Sequence, residues 1–170
     1  FCGVVADNTN LQGAVFTWWR DEDGKWQAKK TITIDPRPED PEDLPELIKG
    51  FGAVPVLVTD IDLSLDDKYL YVACWGIGEM HQYDVSDPFN PVLAGKVELG
   101  GIAKETKHPN GKDFVYGPQM VEVSRDGKRV YWTNSLYSTW DDQFYPHHEG
   151  GQMVMANVGE NGGLTLDPDF

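Results

Sequence analysis

The residues best able to do chemistry are concentrated in one stretch, residues 135–150. It reads Ser-Leu-Tyr-Ser-Thr-Trp-Asp-Asp-Gln-Phe-Tyr-Pro-His-His-Glu-Gly and combines aromatic rings, adjacent acids and a histidine pair. His147 and His148 are candidate ligands for copper or zinc, because imidazole nitrogen suits both metals. Asp141, Asp142 or Glu149 could supply an oxygen ligand or support the histidines. Adjacent residues on an extended segment point to opposite sides, so only one histidine of the pair would face a given site. The alternative is an ordinary pair of surface histidines.

A third candidate metal ligand is His81, in the strand-like segment Met80-His81-Gln82-Tyr83. Alternation along a strand places His81 and Tyr83 on one face. The alternative for His81 is a packing residue whose nitrogens are satisfied by neighbours. Cys74 has no adjacent base that would lower the pKa of its thiol, which favours a buried, unreactive cysteine.

The elements that must position these residues are repeated. Residues 62–72 align without a gap with residues 122–132, sixty positions further on, and each copy reads strand, Ser-x-Asp-(Asp/Gly)-Lys turn, strand. A repeat of this size built from short strands is typical of a β-propeller blade. The sequence therefore predicts an all-β fold, a partial β-propeller of about two and a half blades from a larger ring of the seven-bladed type.

The predicted organisation has five parts. They are the end of a first blade (1–34), an acidic, proline-rich inter-blade loop (35–53), a second blade (54–100), a connector (101–116) and a third blade (117–170) with the rim insertion 135–150. The predicted strands are 2–6, 13–19 and 26–34 in the first blade, 57–64, 69–74, 79–85 and 92–98 in the second, and segments from 119, 130–134, 152–157 and 164–166 in the third. The loop 35–53 is expected to be exposed, as a linker or a lid, because proline and like charges disfavour pairing.

Two polar residues precede the repeated strand core. Asp60, in Val58-Thr59-Asp60-Ile61, and Gln119, in Gly117-Pro118-Gln119-Met120, lie near the beginnings of the predicted inner strands. Inner strands line the central channel of a propeller, so these side chains are candidates to face a metal or substrate there. The alternative is a hydrogen bond that fixes neighbouring blades, and the sequence does not choose between the two.

Charge excludes some partners. The chain has 28 acidic and 14 basic residues, a formal net charge of −14. Nucleic acid binding requires a basic surface, so nucleic acid is an unsuitable partner. There is no apolar run of about 18 residues, so the sequence predicts no membrane insertion.

Several ordered strings resemble the selenium-binding protein family, and the similarity extends over nearly the whole chain. They include Thr59-Asp60-Ile61, Gln82-Tyr83-Asp84-Val85-Ser86-Asp87-Pro88, Gly117-Pro118-Gln119-Met120 and Gln143-Phe144-Tyr145-Pro146. The run Ala73-Cys74-Trp75-Gly76-Ile77-Gly78-Glu79-Met80 is most similar to the bacterial methanethiol oxidase branch.

The resemblance implies an oxidase that converts methanethiol, oxygen and water into formaldehyde, hydrogen sulfide and hydrogen peroxide. It implies copper as the cofactor, with calcium as a further candidate metal, and partners limited to a small thiol and O2, with a homo-oligomer as an additional expectation. A substrate this small needs a narrow apolar pocket. The candidate pocket residues are Asp60, Trp75, Gln119, Tyr137, Trp140, Asp141 and Phe144.

Two rival interpretations remain. One is a non-catalytic selenium- or thiol-binding scaffold that interacts with proteins, and the other is a YVTN-type surface-layer propeller, in which similar strand pairs occur. Copper content and thiol turnover would separate the oxidase from the scaffold. A bacterial member of the family would be expected in the periplasm, with the cytoplasm as the alternative.

Overall fold

A computed structural model of the protein describes residues 1–104, 106–135, 138–144 and 150–170, the side chains of Ser138 and Trp140 excepted. The described residues are almost entirely β-strands and turns, and all of the strand pairs in the named sheets are antiparallel. The all-β prediction is therefore confirmed, and the arrangement is consistent with a fragment of a β-propeller.

Three larger sheets follow one another along the chain. Sheet I contains β1 (Cys2–Val4), β2 (Gly13–Arg20) and β3 (Trp26–Ile34). The ladder of β4 (Arg37–Pro38) and β5 (Ala53–Val54) comes next. Sheet II contains β6 (Val58–Leu63), β7 (Tyr69–Cys74), β8 (Glu79–Asp84) and β9 (Val92–Glu98). The ladder of β10 (Thr106–Lys107) and β11 (Asp113–Phe114) precedes sheet III, which contains β12 (Val121–Val123), β13 (Arg129–Thr133), β14 (Met153–Val158) and β15 (Leu164–Leu166).

Sheet II is buried on both faces, and its sequence explains why. Side chains alternate along a strand, so β7 presents Leu70 and Val72 to one neighbour and Tyr71 and Ala73 to the other. The first pair packs with residues of sheet I, and the second packs with residues of sheet III. An uninterrupted apolar strand therefore forms the centre of two hydrophobic cores.

Aspartates join the first strands of sheets II and III. Asp60 Oδ2 accepts a hydrogen bond of 2.8 Å from the Val121 backbone N–H, and Asp62 Oδ2 accepts one of 3.1 Å from Val123. These bonds satisfy strand-edge donors that would otherwise lack partners. The two sheets are thus held in register at their first strands as well as through apolar packing.

The acidic segment 35–53 differs from the exposed loop that the sequence predicts. It contains the β4–β5 ladder and two 3-10 turns, Pro41–Asp43 and Lys49–Phe51. Leu44 and Ile48 are buried in the core that joins sheets I and II. The other residues of the segment are exposed or half-buried, but the prediction weighed charge and proline content and overlooked these two apolar anchors, each stabilising by roughly 1.5–3 kcal/mol when fully buried. The divisions after residues 34, 53, 100 and 116 stay predictions.

The insertion 135–150 also differs from expectation. A short helix, α1 (Ser138–Phe144), occupies its middle, where a loop was predicted. The pattern that escaped notice is the spacing of Asp141 and Phe144, three residues apart and both buried, which is a helical period. Within the described residues no helix is long and apolar enough to cross a lipid bilayer.

Candidate functional site

The candidate site lies at the end of the sheets where the first strands begin and the second strands end. Trp75 follows β7 directly and is fully buried. Its indole Nε1–H donates a hydrogen bond of 3.0 Å to the backbone carbonyl of Asn134, the residue that follows β13. One side chain therefore ties the equivalent corners of sheets II and III together.

Two glycines allow the backbone to approach Trp75 this closely. A Cβ on Gly117 would lie 2.0 Å from the Trp75 carbonyl oxygen, and one on Gly76 would lie 2.0 Å from the Pro55 carbonyl oxygen. Both contacts are with backbone atoms, which cannot move aside. The motif Gly-Pro-Gln-Met at 117–120 and the Trp-Gly step at 75–76 therefore place the indole where it is.

Asn134 fixes the position of the carbonyl that receives the indole. Its side chain is fully buried and donates from Nδ2 to the Val115 carbonyl at 2.9 Å, while Oδ1 accepts from the Gln152 backbone N–H at 2.6 Å. A buried amide with several partners holds one orientation firmly. Asn134 consequently links the start and the end of the insertion to the connector.

The helix α1 brings Phe144 and Asp141 to the same corner. The Phe144 ring meets Trp75 edge-on, with centroids 5.6 Å apart and an interplanar angle of 90°. Asp141 is fully buried, and its Oδ2 accepts a hydrogen bond of 2.7 Å from the Ser135 hydroxyl. Edge-to-face aromatic packing adds stabilisation beyond area burial. The helix therefore contributes one ring and one carboxylate to a mostly apolar pocket.

Tyr116 completes this corner from the connector. It is buried, and burial together with the negative charges of Asp141 and Asp142 raises the pKa of Tyr116 to about 12. Its phenol is therefore neutral throughout the physiological range. We call Trp75, Tyr116, Asn134, Asp141 and Phe144 the Trp75 corner.

A cavity of about 380 Å³ adjoins the Trp75 corner, between α1 and the segment 41–48. Leu44, Pro45, Ala103 and Phe144 form its apolar lining. Its polar lining includes three carboxylates, Asp43, Glu46 and Asp142. A neutral apolar molecule suits this space better than an anion, because the carboxylates repel negative charge.

Five of the predicted pocket residues fall into two groups. Trp75, Asp141 and Phe144 are brought together in the Trp75 corner. Asp60 and Gln119 lie on the neighbouring first strands, where Asp60 bonds across the sheets as described above. Gln119 is buried, its backbone N–H donates to the Thr133 carbonyl at 2.7 Å, and its Oε1 accepts from the Thr133 hydroxyl at 3.4 Å.

The structure describes little or nothing of the remaining predicted residues. Tyr137, His147 and His148 lie outside the described residues, and Trp140 is placed only as a backbone position in α1. Their assignment to a pocket or a metal stays a prediction. Tyr116 and Asn134 were missed by the sequence interpretation. Asn134 directly follows the second strand of its sheet, as Trp75 does in sheet II, and this place is a signal that could have found it.

His81 lies in a different place, on the outward strand β8. Its Nε2 is 2.5 Å from Glu79 Oε2 and its Nδ1 is 3.1 Å from the Tyr83 hydroxyl. Both ring nitrogens therefore have partners, so neither is available to a metal without breaking a bond. No group of three or more metal-binding side chains occurs within the described ranges.

Cys74 and Glu79 show how burial and charge act near His81. Cys74 is fully buried, and burial raises the pKa of its thiol well above the usual value. Burial alone would raise the pKa of Glu79, but the hydrogen bonds and charges of His81 and Lys96 outweigh it and lower that pKa to about 2. Cys74 is thus an inert thiol, and Glu79 is a carboxylate at all ordinary pH values.

An all-β chain with successive antiparallel sheets is consistent with a fragment of a propeller-like protein. Comparison with known proteins defines the class further. The model of the 56kDa selenium binding protein (SBP56) family matches residues 1–170. The chain belongs to this family, which confirms the resemblance seen in the sequence; its placement in the bacterial branch stays a prediction.

Individual relatives agree with the family assignment. The chain is 42% identical to a methanethiol oxidase of Xenopus tropicalis over 94% of its length and 37% of that protein. It is 36% identical to selenium-binding protein 1 of Arabidopsis thaliana, covering 94% of this chain and 35% of that protein. The crystal structure of a hypothetical selenium-binding protein from Sulfolobus tokodaii superposes with a TM-score of 0.94 at 53% identity, over 99% of this chain and 36% of that one. The chain thus spans little more than a third of these relatives.

Proposed function

We propose that the full-length protein oxidises methanethiol with oxygen and water to formaldehyde, hydrogen sulfide and hydrogen peroxide. The observation that carries the proposal is family membership across the whole chain, together with relatives that bear the name methanethiol oxidase. The reaction balances, because one molecule each of methanethiol, dioxygen and water supplies all the atoms of the three products. The carbon is oxidised and dioxygen is reduced to peroxide.

The Trp75 corner supports a small, neutral substrate. Trp75, Phe144 and the apolar residues of the adjoining cavity offer contacts to a methyl group, and buried apolar contact contributes about 0.8 kcal/mol for each buried methylene-sized group. The carboxylates Asp43, Glu46 and Asp142 would disfavour larger thiols that carry carboxylates of their own. The proposed role of this corner is therefore to bind the thiol and to disfavour anions.

Copper is the proposed cofactor of the full-length protein, and when bound it would carry electrons between the thiol and oxygen. The described residues do not fit a copper site, since both nitrogens of His81 are engaged and no suitable cluster occurs among them. Under the proposal, ligands come from His147 and His148 or from the rest of the protein. The described residues therefore have no proposed role in copper or calcium chemistry.

The proposal extends to the architecture and setting of the full-length protein. A seven-bladed ring would place the three sheets as successive blades, with the Trp75 corner at the rim. A homo-oligomer and a periplasmic location in a bacterium are parts of the same proposal, with the cytoplasm as the alternative location. Sedimentation of the purified protein and cell fractionation would test these two points.

The decisive experiment measures oxygen uptake by the full-length protein with methanethiol, together with its copper content. Phe144→Leu should raise KM for methanethiol, because it removes ring contacts at the Trp75 corner. Phe114→Leu is the matched control, since Phe114 is also buried but packs in the core between sheets II and III. Equal KM values for the two variants would remove Phe144 from the pocket, and absence of any methanethiol-dependent uptake would overturn the proposed activity.

The second candidate function is a non-catalytic selenium- or thiol-binding scaffold. It is favoured by the relatives in Arabidopsis thaliana, which are named selenium-binding proteins. A full-length protein that contains no copper, consumes no oxygen and still binds a protein partner would support this function over the oxidase.

A further inference from the structure

The connection between the third and fourth strands of sheet III contains an asparagine followed by a glycine, Asn161-Gly162. The chain has one other such step, Asn110-Gly111, in the turn between β10 and β11. In both turns the glycine has a positive φ, and its backbone N–H donates to the carbonyl three residues earlier, at 3.0 Å for Gly162 and 2.8 Å for Gly111. The two steps therefore share their sequence, the sign of the glycine φ and the hydrogen bond of the turn.

Side-chain contacts distinguish the two asparagines, although both residues are exposed. Asn110 is held at both atoms of its amide, because Oδ1 accepts from the Lys112 backbone N–H at 3.1 Å and Nδ2 donates to the Phe170 carbonyl at 3.2 Å. The Asn161 side chain has no hydrogen-bond partner in the part of the chain that the structure describes. The Asn161 amide can therefore rotate at no cost in hydrogen bonds, whereas rotation of the Asn110 amide breaks two.

The corresponding connection of sheet II has a different sequence. There Asn90 is followed by Pro91, whose nitrogen carries no proton, and the Asn90 amide donates to Asp87 Oδ2 at 2.7 Å. Sheet II is covered on both faces, yet Asp87 and Asn90 remain exposed. A further sheet packed on sheet III in the same way would therefore leave Asn161 in contact with water.

We propose that Asn161 is a site of spontaneous deamidation through a succinimide. The Gly162 nitrogen loses its proton and bonds to Asn161 Cγ, and Nδ2 leaves with that proton as ammonia. Water then opens the five-membered ring at either carbonyl, which gives aspartate or isoaspartate. Glycine favours the attack, because it has no Cβ to shield its nitrogen and has the widest range of backbone conformations. This modification is independent of the methanethiol chemistry proposed above.

The turn that carries Asn161 packs against sheet II, so the modification changes a contact between sheets. The Gly163 backbone N–H donates to Oε1 of the fully buried Gln82 at 2.7 Å, and a Cβ on Gly162 would lie 3.1 Å from Ala94 Cβ. Isoaspartate lengthens the main chain by one carbon atom, which displaces the two glycines from these contacts. The Gln82 oxygen then loses a donor in a buried place, which favours the unfolded state. Aspartate adds a negative charge and leaves the length of the main chain unchanged.

The test incubates the full-length protein at mildly alkaline pH, both folded and in concentrated guanidinium chloride, and follows deamidation by peptide mapping with mass spectrometry. In guanidinium chloride the two Asn-Gly steps should react at similar rates, because no folded structure then holds either side chain. In the folded protein Asn161 should react about tenfold faster than Asn110, since two exposed hydrogen bonds must break before the Asn110 amide can rotate. Asn90 should remain unchanged in the folded protein, because proline has no N–H to lose.

Three variants separate the site from its consequences. Asn161→Gln should remove most of the isoaspartate that an isoaspartyl carboxyl methyltransferase detects in the incubated protein, because its longer side chain cannot form the five-membered ring. Asn110→Gln is the matched control and should leave the isoaspartate content nearly unchanged. Freshly prepared Asn161→Asp carries the charge of the product without the longer main chain, so it should unfold at nearly the same urea concentration as fresh wild type. The isoaspartate-containing fraction of incubated wild type should unfold at a lower urea concentration.

The proposal is overturned if Asn161 stays unconverted in the folded protein, or if Asn110 reacts there at least as fast. It is also overturned if Asn161→Gln accumulates as much isoaspartate as wild type. Equal urea midpoints for the isoaspartate-containing fraction and fresh wild type would overturn the inferred loss of the contact with Gln82. The rates at Asn161 and Asn110 are measured in wild type, so the test of the site stands even if a variant fails to fold.

Discussion

Sheets II and III are two copies of one sequence pattern, and they agree at one end and differ at the other. In the turn between their first and second strands, the Ser64 hydroxyl donates to Asp66 at 2.6 Å and the Ser124 hydroxyl donates to Asp126 at 2.6 Å. Each serine oxygen also accepts from the backbone N–H five residues later, at 2.8 Å from Tyr69 and 3.0 Å from Arg129. The repeated sequence therefore reproduces the same two serine hydrogen bonds in both turns.

The opposite ends of the same sheets have little in common. In sheet II the second and third strands are joined by the short segment 75–78, which begins with a buried tryptophan. In sheet III the same connection is the long segment 134–152, which contains α1. The two connections meet at the bond from Trp75 to Asn134. The repeat thus specifies the scaffold, and the departures from the repeat build the candidate site.

The largest expected effect comes from removing the hydrogen bond between Trp75 and Asn134, which tests how much this bond stabilises the Trp75 corner. Trp75→Phe should lower the free energy of unfolding by about 2–4 kcal/mol, because it shrinks a buried ring and leaves the Asn134 carbonyl without its donor. The matched variant is Trp132→Phe in the core between sheets II and III. The Trp132 ring is 2% exposed, and its indole nitrogen has no acceptor among the described residues.

Trp132→Phe should therefore lose only the packing contribution, about 1–2 kcal/mol. Urea unfolding of the full-length protein, followed by circular dichroism, measures both variants. Equal losses would show that the bond between Trp75 and Asn134 contributes nothing to stability, and the comparison between the two ends of the sheets would lose its energetic basis.

A second, smaller effect concerns the third strands. Sheet II carries the buried Glu79 on β8, whereas β14 of sheet III carries no acid. Because the pKa of Glu79 is lowered from 4.5 to about 2, its contribution to stability is complete above about pH 4.5 and disappears as the pH falls to about 2. That contribution is on the order of 3 kcal/mol.

Glu79→Gln removes this dependence, so the variant should be less stable than wild type at pH 7 and should approach wild type near pH 2. Urea unfolding of the full-length protein at a series of pH values provides the measurement. Glu122→Gln is the control, since Glu122 is an exposed acid on β12. A parallel decline of all three proteins with falling pH would contradict the assignment of the acid sensitivity to Glu79.

The sequence was informative where local pattern determines structure. The second-sheet strands were predicted within one residue at each end, since alternation and turn residues define them. The burial of Leu44 and Ile48 was missed, because two apolar residues in an acidic segment are a weak local signal and their partners are distant in sequence. The ring contact between Trp75 and Phe144 also joins distant segments, and the role of both residues in a substrate pocket stays a prediction.

The polar side chains around His81 also show that contacts along one strand can be predicted from sequence, whereas contacts between distant segments cannot. Alternation alone placed His81 and Tyr83 on one face, and it could equally have included Glu79. Alternation along β8 could not have predicted that Lys96 and Arg37 lie near His81, because Lys96 lies on a neighbouring strand and Arg37 lies in the segment after sheet I. Side chains brought together by tertiary packing leave no trace in the spacing of any one segment.

The smallest expected effect returns to the turns that the two sheets share. Ser64→Ala and Ser124→Ala each remove one hydroxyl that donates to an aspartate and accepts from the backbone. Ser64 is 5% exposed, whereas Ser124 is more accessible to water, which can replace the lost bonds. Ser64→Ala should therefore destabilise the full-length protein by about 1–2 kcal/mol and Ser124→Ala by about 0.5–1 kcal/mol, measured by urea unfolding. A larger loss of stability for Ser124→Ala than for Ser64→Ala would contradict the expectation that the more buried serine contributes more.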